Sequence, residues 1–104
     1  MMIRHILLLR PRPDVAPAEI DEVFGRIREV GARLPGALDV TFGPSRSPED
    51  LERGYQYGLV VDFRDWDSLR AYAEDDEHRA VGAVIQSLAA GGIAGLLVVD
   101  LDLQ

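Results

Sequence analysis

The stretch Met2-Ile3-Arg4-His5-Ile6-Leu7-Leu8-Leu9 is nearly all apolar and predicts a β-strand. Successive side chains of a strand point to opposite faces of the sheet. One face would therefore carry Ile3, His5, Leu7 and Leu9, and the other would carry Met2, Ile6 and Leu8. A strand that is apolar on both faces is typical of one that is covered on both sides.

The rest of the sequence predicts the order helix, strand, strand, helix, strand. The first helix begins near Pro17, a residue favoured in a first turn, and ends at Pro35-Gly36. The second helical region begins after Asp65, a plausible N-cap, is interrupted by acidic residues before His78, and ends at Gly91-Gly92. The three further strands are predicted at Leu38, Val40 and Phe42, at Gly54 to Phe63, and at Ile93 to Leu101.

This order predicts an α+β, ferredoxin-like βαββαβ fold with a four-stranded antiparallel sheet, formed as one domain over residues 1–104. The helices of such a fold cover only one face of the sheet. The terminal strands would then expose apolar side chains on the other face, which soluble monomers avoid. Because apolar burial contributes about 25 cal/mol per Å², we expect a two-fold homodimer that pairs sheet against sheet. A monomer with scattered apolar residues is the alternative, and it fits poorly because the apolar residues fill whole strands.

Composition excludes several classes of function. The chain of 104 residues has a formal net charge of -7 and no cysteine. The acidic balance argues against nucleic acid and against an anionic membrane surface as partners. Without cysteine there is no disulfide and no thiolate chemistry. No apolar run approaches the roughly 20 residues of a membrane span, so we expect a cytoplasmic protein.

Four segments together resemble one known family. Met2 to Leu9 resembles the opening strand of the stress-responsive dimeric α/β-barrel (Dabb) family, and Arg53 to Gly58 resembles its entry to the third strand. Ala71-Tyr72 followed by Glu77-His78-Arg79-Ala80 resembles its helix break, and Leu97 to Asp100 resembles its final strand. The resemblance implies a ferredoxin-like fold whose sheets pair into a dimeric barrel. This agrees with the homodimer expected from the apolar strand faces.

The resemblance also implies a chemistry. Some plant members resemble polyketide cyclases, which close a poly-β-keto chain by an intramolecular aldol step. In them a histidine aligned with His78 acts as general base, a tyrosine aligned with Tyr72 assists, and a histidine aligned with His5 lines the same pocket. This chain departs from the family by carrying Asp75-Asp76-Glu77-His78 where His-Pro-x-His is common, and Tyr57 where cyclase-like members carry a histidine.

Each candidate catalytic residue also has a structural interpretation. His78 shares a helical phase with Val81 and Ile85, so it could be a partly buried structural histidine. His5 could be a hydrogen-bonded core group, and Tyr72 an ordinary core tyrosine. Consecutive acids at a helix start usually cap it and complement its dipole rather than bind a metal. With no phosphate-binding glycine loop either, neither a metal nor another cofactor is expected.

Two function hypotheses follow. The first is a cyclase-like or isomerase-like enzyme for a small carbonyl compound, with His78, Tyr72 and His5 as catalytic residues. Its predicted substrate-binding residues are Tyr55 and Tyr57, which share a strand face, and Phe24. The second is a non-catalytic stress-associated dimer that is structural or binds a small apolar ligand. The enzyme requires a cavity that reaches His78, Tyr72 and His5 together.

Overall fold

A computed structural model of the protein describes the whole chain, residues 1–104. Its elements, in chain order, are β1 (Met2–Leu9), α1 (Pro17–Arg33), β2 (Ala37–Pro44), β3 (Tyr57–Phe63), α2 (Trp66–Glu74), α3 (Asp76–Leu88), a 3₁₀ turn (Gly92–Gly95) and β4 (Leu96–Leu103). The four strands form one antiparallel sheet in the order β2-β3-β1-β4. The predicted ferredoxin-like fold is confirmed, with the second helical region divided into α2 and α3.

The core lies between the helices and one face of the sheet. Ile3 and Leu9 of β1 are fully buried there and lie opposite Phe63 and Tyr57 of β3. The buried side chains of α1 are Ile20, Val23, Phe24, Ile27 and Val30, and those of α3 are Val81, Ile85 and Leu88. Their spacing of three and four residues turns one stripe of each helix toward the sheet.

Side-chain caps fix where the two shorter helices begin. The Asp65 carboxylate accepts a hydrogen bond of 2.8 Å from the N–H of Ser68 at the start of α2. The Asp75 carboxylate accepts one of 2.9 Å from the N–H of His78 at the start of α3. Such caps satisfy backbone donors that a first turn leaves free. No helix combines the length and the apolar composition that crossing a bilayer would require.

Three local predictions were wrong. Leu38 is 55% exposed, because a register shift between Ala37 and Asp39 removes it from the buried face of β2. β3 begins at Tyr57 rather than Gly54, since the positive φ of Gly54 (90°) places the chain in a turn there. β4 begins at Leu96, because residues 92–95 form the 3₁₀ turn and leave Ile93 69% exposed.

No element of the chain covers the other face of the sheet, which we call the open face. Its apolar side chains are Ile6 and Leu8 of β1, Val60 of β3, and Leu97, Val99 and Leu101 of β4. The three on β4 are 43–45% exposed. One ion pair joins Arg4 to Asp62 on this face, with 2.9 Å between Nε and Oδ1. The predicted apolar second face is therefore present.

Two glycines of α1 offer a matched test of the packing. A β-carbon at Gly31 would lie 2.7 Å from Cγ2 of Val40, whereas one at Gly25 would meet nothing within 4 Å. We expect Gly31→Ala to lower the free energy of unfolding by about 1–3 kcal/mol through overpacking. Gly25→Ala should raise it by about 0.5–1 kcal/mol through helix propensity. Urea denaturation measures both, and equal effects would contradict the contact between α1 and β2.

Candidate functional site

The structure brings together the three side chains that the sequence singled out as catalytic. His5 lies on β1, Tyr72 in α2 and His78 in the first turn of α3. The ring centroids of Tyr72 and His78 are 3.8 Å apart, and those of His5 and Tyr72 are 5.7 Å apart. Phe63 packs against Tyr72 with 5.1 Å between ring centroids. We call His5, Tyr72, His78 and Asp100, described below, the His–Tyr cluster.

Tyr72 is the most enclosed member of the cluster. It is 2% exposed, and its phenol makes no hydrogen bond within the protein. Burial raises the pKa of Tyr72 well above its ordinary value, because the phenolate would be poorly solvated. The phenol therefore stays protonated at neutral pH and can donate a hydrogen bond to a ligand oxygen.

His78 carries a buried acceptor or donor without a partner. Its Nδ1 atom is buried and has no well-aligned hydrogen bond. Burial lowers the pKa of His78, the nearby ring of His5 lowers it further, and the carbonyl of Ala73 opposes part of this effect. The ring is therefore neutral at pH 7, which leaves a nitrogen lone pair able to accept a proton.

His5 is oriented by a residue that sequence reasoning missed as a site residue. The Nδ1 atom of His5 lies 2.6 Å from Oδ1 of Asp100, which is its direct partner across the β1–β4 ladder. An ionised carboxylate can only accept, so Nδ1 donates the hydrogen and Nε2 is left as the free nitrogen. The Asp100 side chain is 31% exposed and that of His5 is 14% exposed, so the cluster meets solvent at the β4 edge.

The three predicted substrate-binding residues lie elsewhere. Phe24 is fully buried in the core, where its ring packs edge-on against Phe42 at 5.8 Å. Tyr57 lies at the opposite end of β3 from Phe63, and Tyr55 precedes that strand. Both tyrosines line a cavity of about 510 Å³ formed with Leu8, Leu51 and Leu97. The structure therefore does not bring them together with His5 and His78.

The enclosed side of the His–Tyr cluster is filled rather than hollow. None of the five surface cavities of the protomer is lined by His5, Tyr72 or His78. The stacked rings of Tyr72 and His78 occupy the space between the helices and the sheet. A ligand would reach the cluster from the β4 edge, or after these two rings move apart.

The acidic residues before His78 have structural partners. Asp75 caps α3, as predicted, and both Asp75 and Glu77 receive hydrogen bonds from Arg33. The structure has no group of three histidine, cysteine, aspartate or glutamate side chains placed to hold a metal ion.

Comparison with known proteins agrees with this fold. Residues 3–103 match the family model described as the stress responsive A/B barrel domain. Olivetolic acid cyclase from Cannabis sativa is 23% identical over 87 residues, which cover 84% of this chain and 86% of the cyclase. A dimeric ferredoxin-like protein of unknown function from Jannaschia sp. CCS1 is 31% identical, with a TM-score of 0.92 and coverage of 99% of this chain and 100% of that one.

A likeness in fold alone extends further. Hydroxynitrile lyase from Passiflora edulis superposes with a TM-score of 0.85 at 13% identity, covering 99% of this chain and 94% of that one. The family match spans nearly the whole chain. The chain therefore belongs to the stress responsive A/B barrel (Dabb) family.

Proposed function

We propose that the protein is a homodimeric enzyme that carries out acid–base chemistry on a small carbonyl compound at the His–Tyr cluster. The observation that carries this proposal is the buried Nδ1 of His78, which has no well-aligned hydrogen bond and whose ring packs against the ring of Tyr72. Buried polar atoms are normally hydrogen-bonded, and a catalytic or binding role is one explanation of an exception. A ligand with a carbonyl oxygen and an acidic C–H bond would satisfy both groups.

The proposed reaction begins with proton transfer from carbon. Neutral His78 takes the proton from the carbon next to the carbonyl, and the C–H electron pair forms an enolate. The phenol of Tyr72 donates a hydrogen bond to the enolate oxygen, where negative charge develops. For a ligand with a C=C bond conjugated to the enolate, His78 returns its proton to the far carbon of the dienolate and the double bond shifts, which is an isomerisation. For a ligand with a second carbonyl, the enolate carbon attacks that carbonyl to form a new C–C bond, and His78 returns its proton to the new alkoxide, which is a cyclisation.

His5 has a separate part in this proposal. Asp100 holds Nδ1 of His5, so the other nitrogen faces the ligand in a fixed orientation. It accepts a hydrogen bond from a hydroxyl or enol of the ligand. The similarity to olivetolic acid cyclase supports a cyclase reaction in particular. Tyr55, Tyr57 and Phe24 have no part in it, because they lie apart from the cluster.

A non-catalytic ligand-binding dimer is the second candidate function. The filled space around Tyr72 and His78 favours it, since an enzyme needs room for its substrate at the catalytic groups. In this case the cavity beside Tyr55 and Tyr57 would take the small apolar ligand.

The homodimer is proposed to form through the open face. Its exposed apolar side chains on β4 would lose contact with water on pairing, which is the dominant favourable term in association. The similar protein from Jannaschia is dimeric. The His–Tyr cluster lies on the helix side of the sheet, so pairing through the open face leaves it accessible.

Hydrogen–deuterium exchange at carbon tests the proposed reaction. A panel of small ketones and β-keto esters is incubated with the protein in D₂O, and exchange at the α-carbon is followed by NMR. We expect exchange above the buffer rate that falls about 10²–10⁴-fold in His78→Gln, because the general base is lost. Ser87→Ala is the control on α3, since the Ser87 side chain is exposed and its hydroxyl donates only to the carbonyl of Val84. Exchange that survives in His78→Gln would remove His78 from the mechanism.

The lowered pKa of His78 predicts a pH effect on stability. Because the folded state disfavours protonation of His78, stability is fully present above the unfolded-state pKa of about 6.5 and is lost as pH falls through the lower, folded-state value. We expect the free energy of unfolding to fall more steeply in the wild type than in His78→Gln between about pH 7 and about pH 5. Urea denaturation at each pH measures this, and parallel curves would show that burial does not disfavour the imidazolium.

Two neighbouring valines of β4 test the dimer. Val99 lies on the open face and Val98 on the helix side, and they are 43% and 49% exposed. Val99→Glu should dissociate the dimer because it places a charge in the interface, whereas Val98→Glu adds the same charge and should leave the dimer intact. Sedimentation velocity gives the molecular mass of each. Equal masses for the two variants would exclude the open face as the interface.

A further inference from the structure

One residue separates the two helices that carry Tyr72 and His78. α2 ends at Glu74 and α3 begins at Asp76, so Asp75 alone forms the break. The N–H of Asp75 donates to the carbonyl of Tyr72 at 3.2 Å, and its carboxylate accepts from the N–H of His78 at 2.9 Å. Asp75 therefore bonds the backbone of both residues whose rings stack.

A third helix holds this residue in place. Arg33, the last residue of α1, donates from Nη2 to Oδ2 of Asp75 at 3.0 Å and to Oε2 of Glu77 at 3.1 Å. The Asp75 side chain is 15% exposed, although the guanidinium of Arg33 is half-exposed. The bond from the N–H of His78 and the bond from Arg33 both lower the pKa of Asp75, so the carboxylate is ionised at neutral pH.

We propose that Arg33 and Asp75 are positioning residues that set the stack of Tyr72 against His78 by fixing the angle between α2 and α3. The catalytic meaning of this role rests on the proposed function, whereas the geometric role does not. A one-residue break transmits any change in its own φ and ψ to the whole of α3. Since the Tyr72 and His78 rings are only 3.8 Å apart, a small tilt of α3 separates them.

A surface ion pair with no role beyond its own attraction is the competing explanation. Exposed pairs often contribute little to stability, so unfolding measurements do not distinguish the two explanations. Ring geometry does distinguish them, because a solvated ion pair would not move the Tyr72 and His78 rings. The contacts between ring protons of Tyr72 and His78, and the pKa of His78, are both measurable by NMR without any substrate.

The test compares three variants of the contacts that Asp75 makes with Arg33 and with the N–H of His78 against two controls. Arg33→Gln and Asp75→Ala each break the contact between Asp75 and Arg33, whereas Asp75→Asn keeps a capping oxygen but loses the charge. Glu77→Gln removes only the charge on the second acceptor of Arg33, and Arg70→Gln breaks an ion pair with Asp67 elsewhere on α2. Amide spectra confirm that each variant is folded. The charged groups that act on His78 are those of His5, Asp75 and Arg79. The same pH titration follows His5 and Asp75 together with His78.

We expect Arg33→Gln and Asp75→Ala to lose most of the nuclear Overhauser contact between the two rings. In Arg33→Gln the pKa of His78 should also rise toward about 6.5 as water reaches the ring. In Asp75→Ala the loss of a carboxylate that raises this pKa opposes that rise, so the ring contact is the deciding readout there. The ring contact in Asp75→Asn should be intermediate between that of these two variants and that of the wild type. Both controls should match the wild type in ring contact and in the titration of His78. Wild-type ring contacts and titration in Arg33→Gln and Asp75→Ala would overturn the proposal, as would equal changes in Arg70→Gln. If these variants separate the rings but no ketone exchanges in the wild type, the positioning role stands and the proposed reaction fails.

Discussion

The apolar character of β1 on both of its faces is the constraint on which the rest of the structure depends. β1 lies inside the sheet between β3 and β4, so its backbone is paired along both edges. One of its faces packs under the helices, with Ile3 and Leu9 fully buried. The other face remains apolar and uncovered, because all three helices lie on the same side. One face of the sheet therefore packs against the helices, and the other is suited to contact with a second copy of the chain. The sequence of β1 contributes to both faces.

β1 also carries one member of the His–Tyr cluster, His5, on the side of the sheet that faces the helices. His5 is the one polar residue among the helix-facing positions of β1, and its partner across the ladder is Asp100. The cluster combines a histidine kept neutral by burial, a phenol kept protonated by burial, and a histidine oriented by a carboxylate. The first two states have one physical cause, poor solvation of charge between the helices and the sheet. Two groups with pKa values shifted in opposite directions can divide the roles of base and hydrogen-bond donor.

Sequence patterns predicted the order of the elements and the apolar open face, because period-two and helical spacing are local properties. The convergence of His5, Tyr72 and His78 came from family resemblance, since no local rule joins a strand to a helix break more than sixty residues later. Asp100 was missed because its role depends on the β1–β4 register, a long-range pairing that alternation does not fix. Leu38 was misplaced because one bulge reverses the alternation of a short strand. Tyr55 and Tyr57 were predicted to bind substrate because they share a strand face, but the length of β3 separates them from Phe63, which packs against Tyr72.

Alternation along β1 has an evolutionary consequence. Arg4 and Ile6 look toward the open face, whereas His5, between them, looks toward the helices. Under the proposed function, substrate preference could thus drift at His5, while the core holds Ile3 and Leu9 fixed and the even-numbered positions preserve the open face. Lineages that share this scaffold would be free to acquire new reactions without first inventing a new quaternary arrangement.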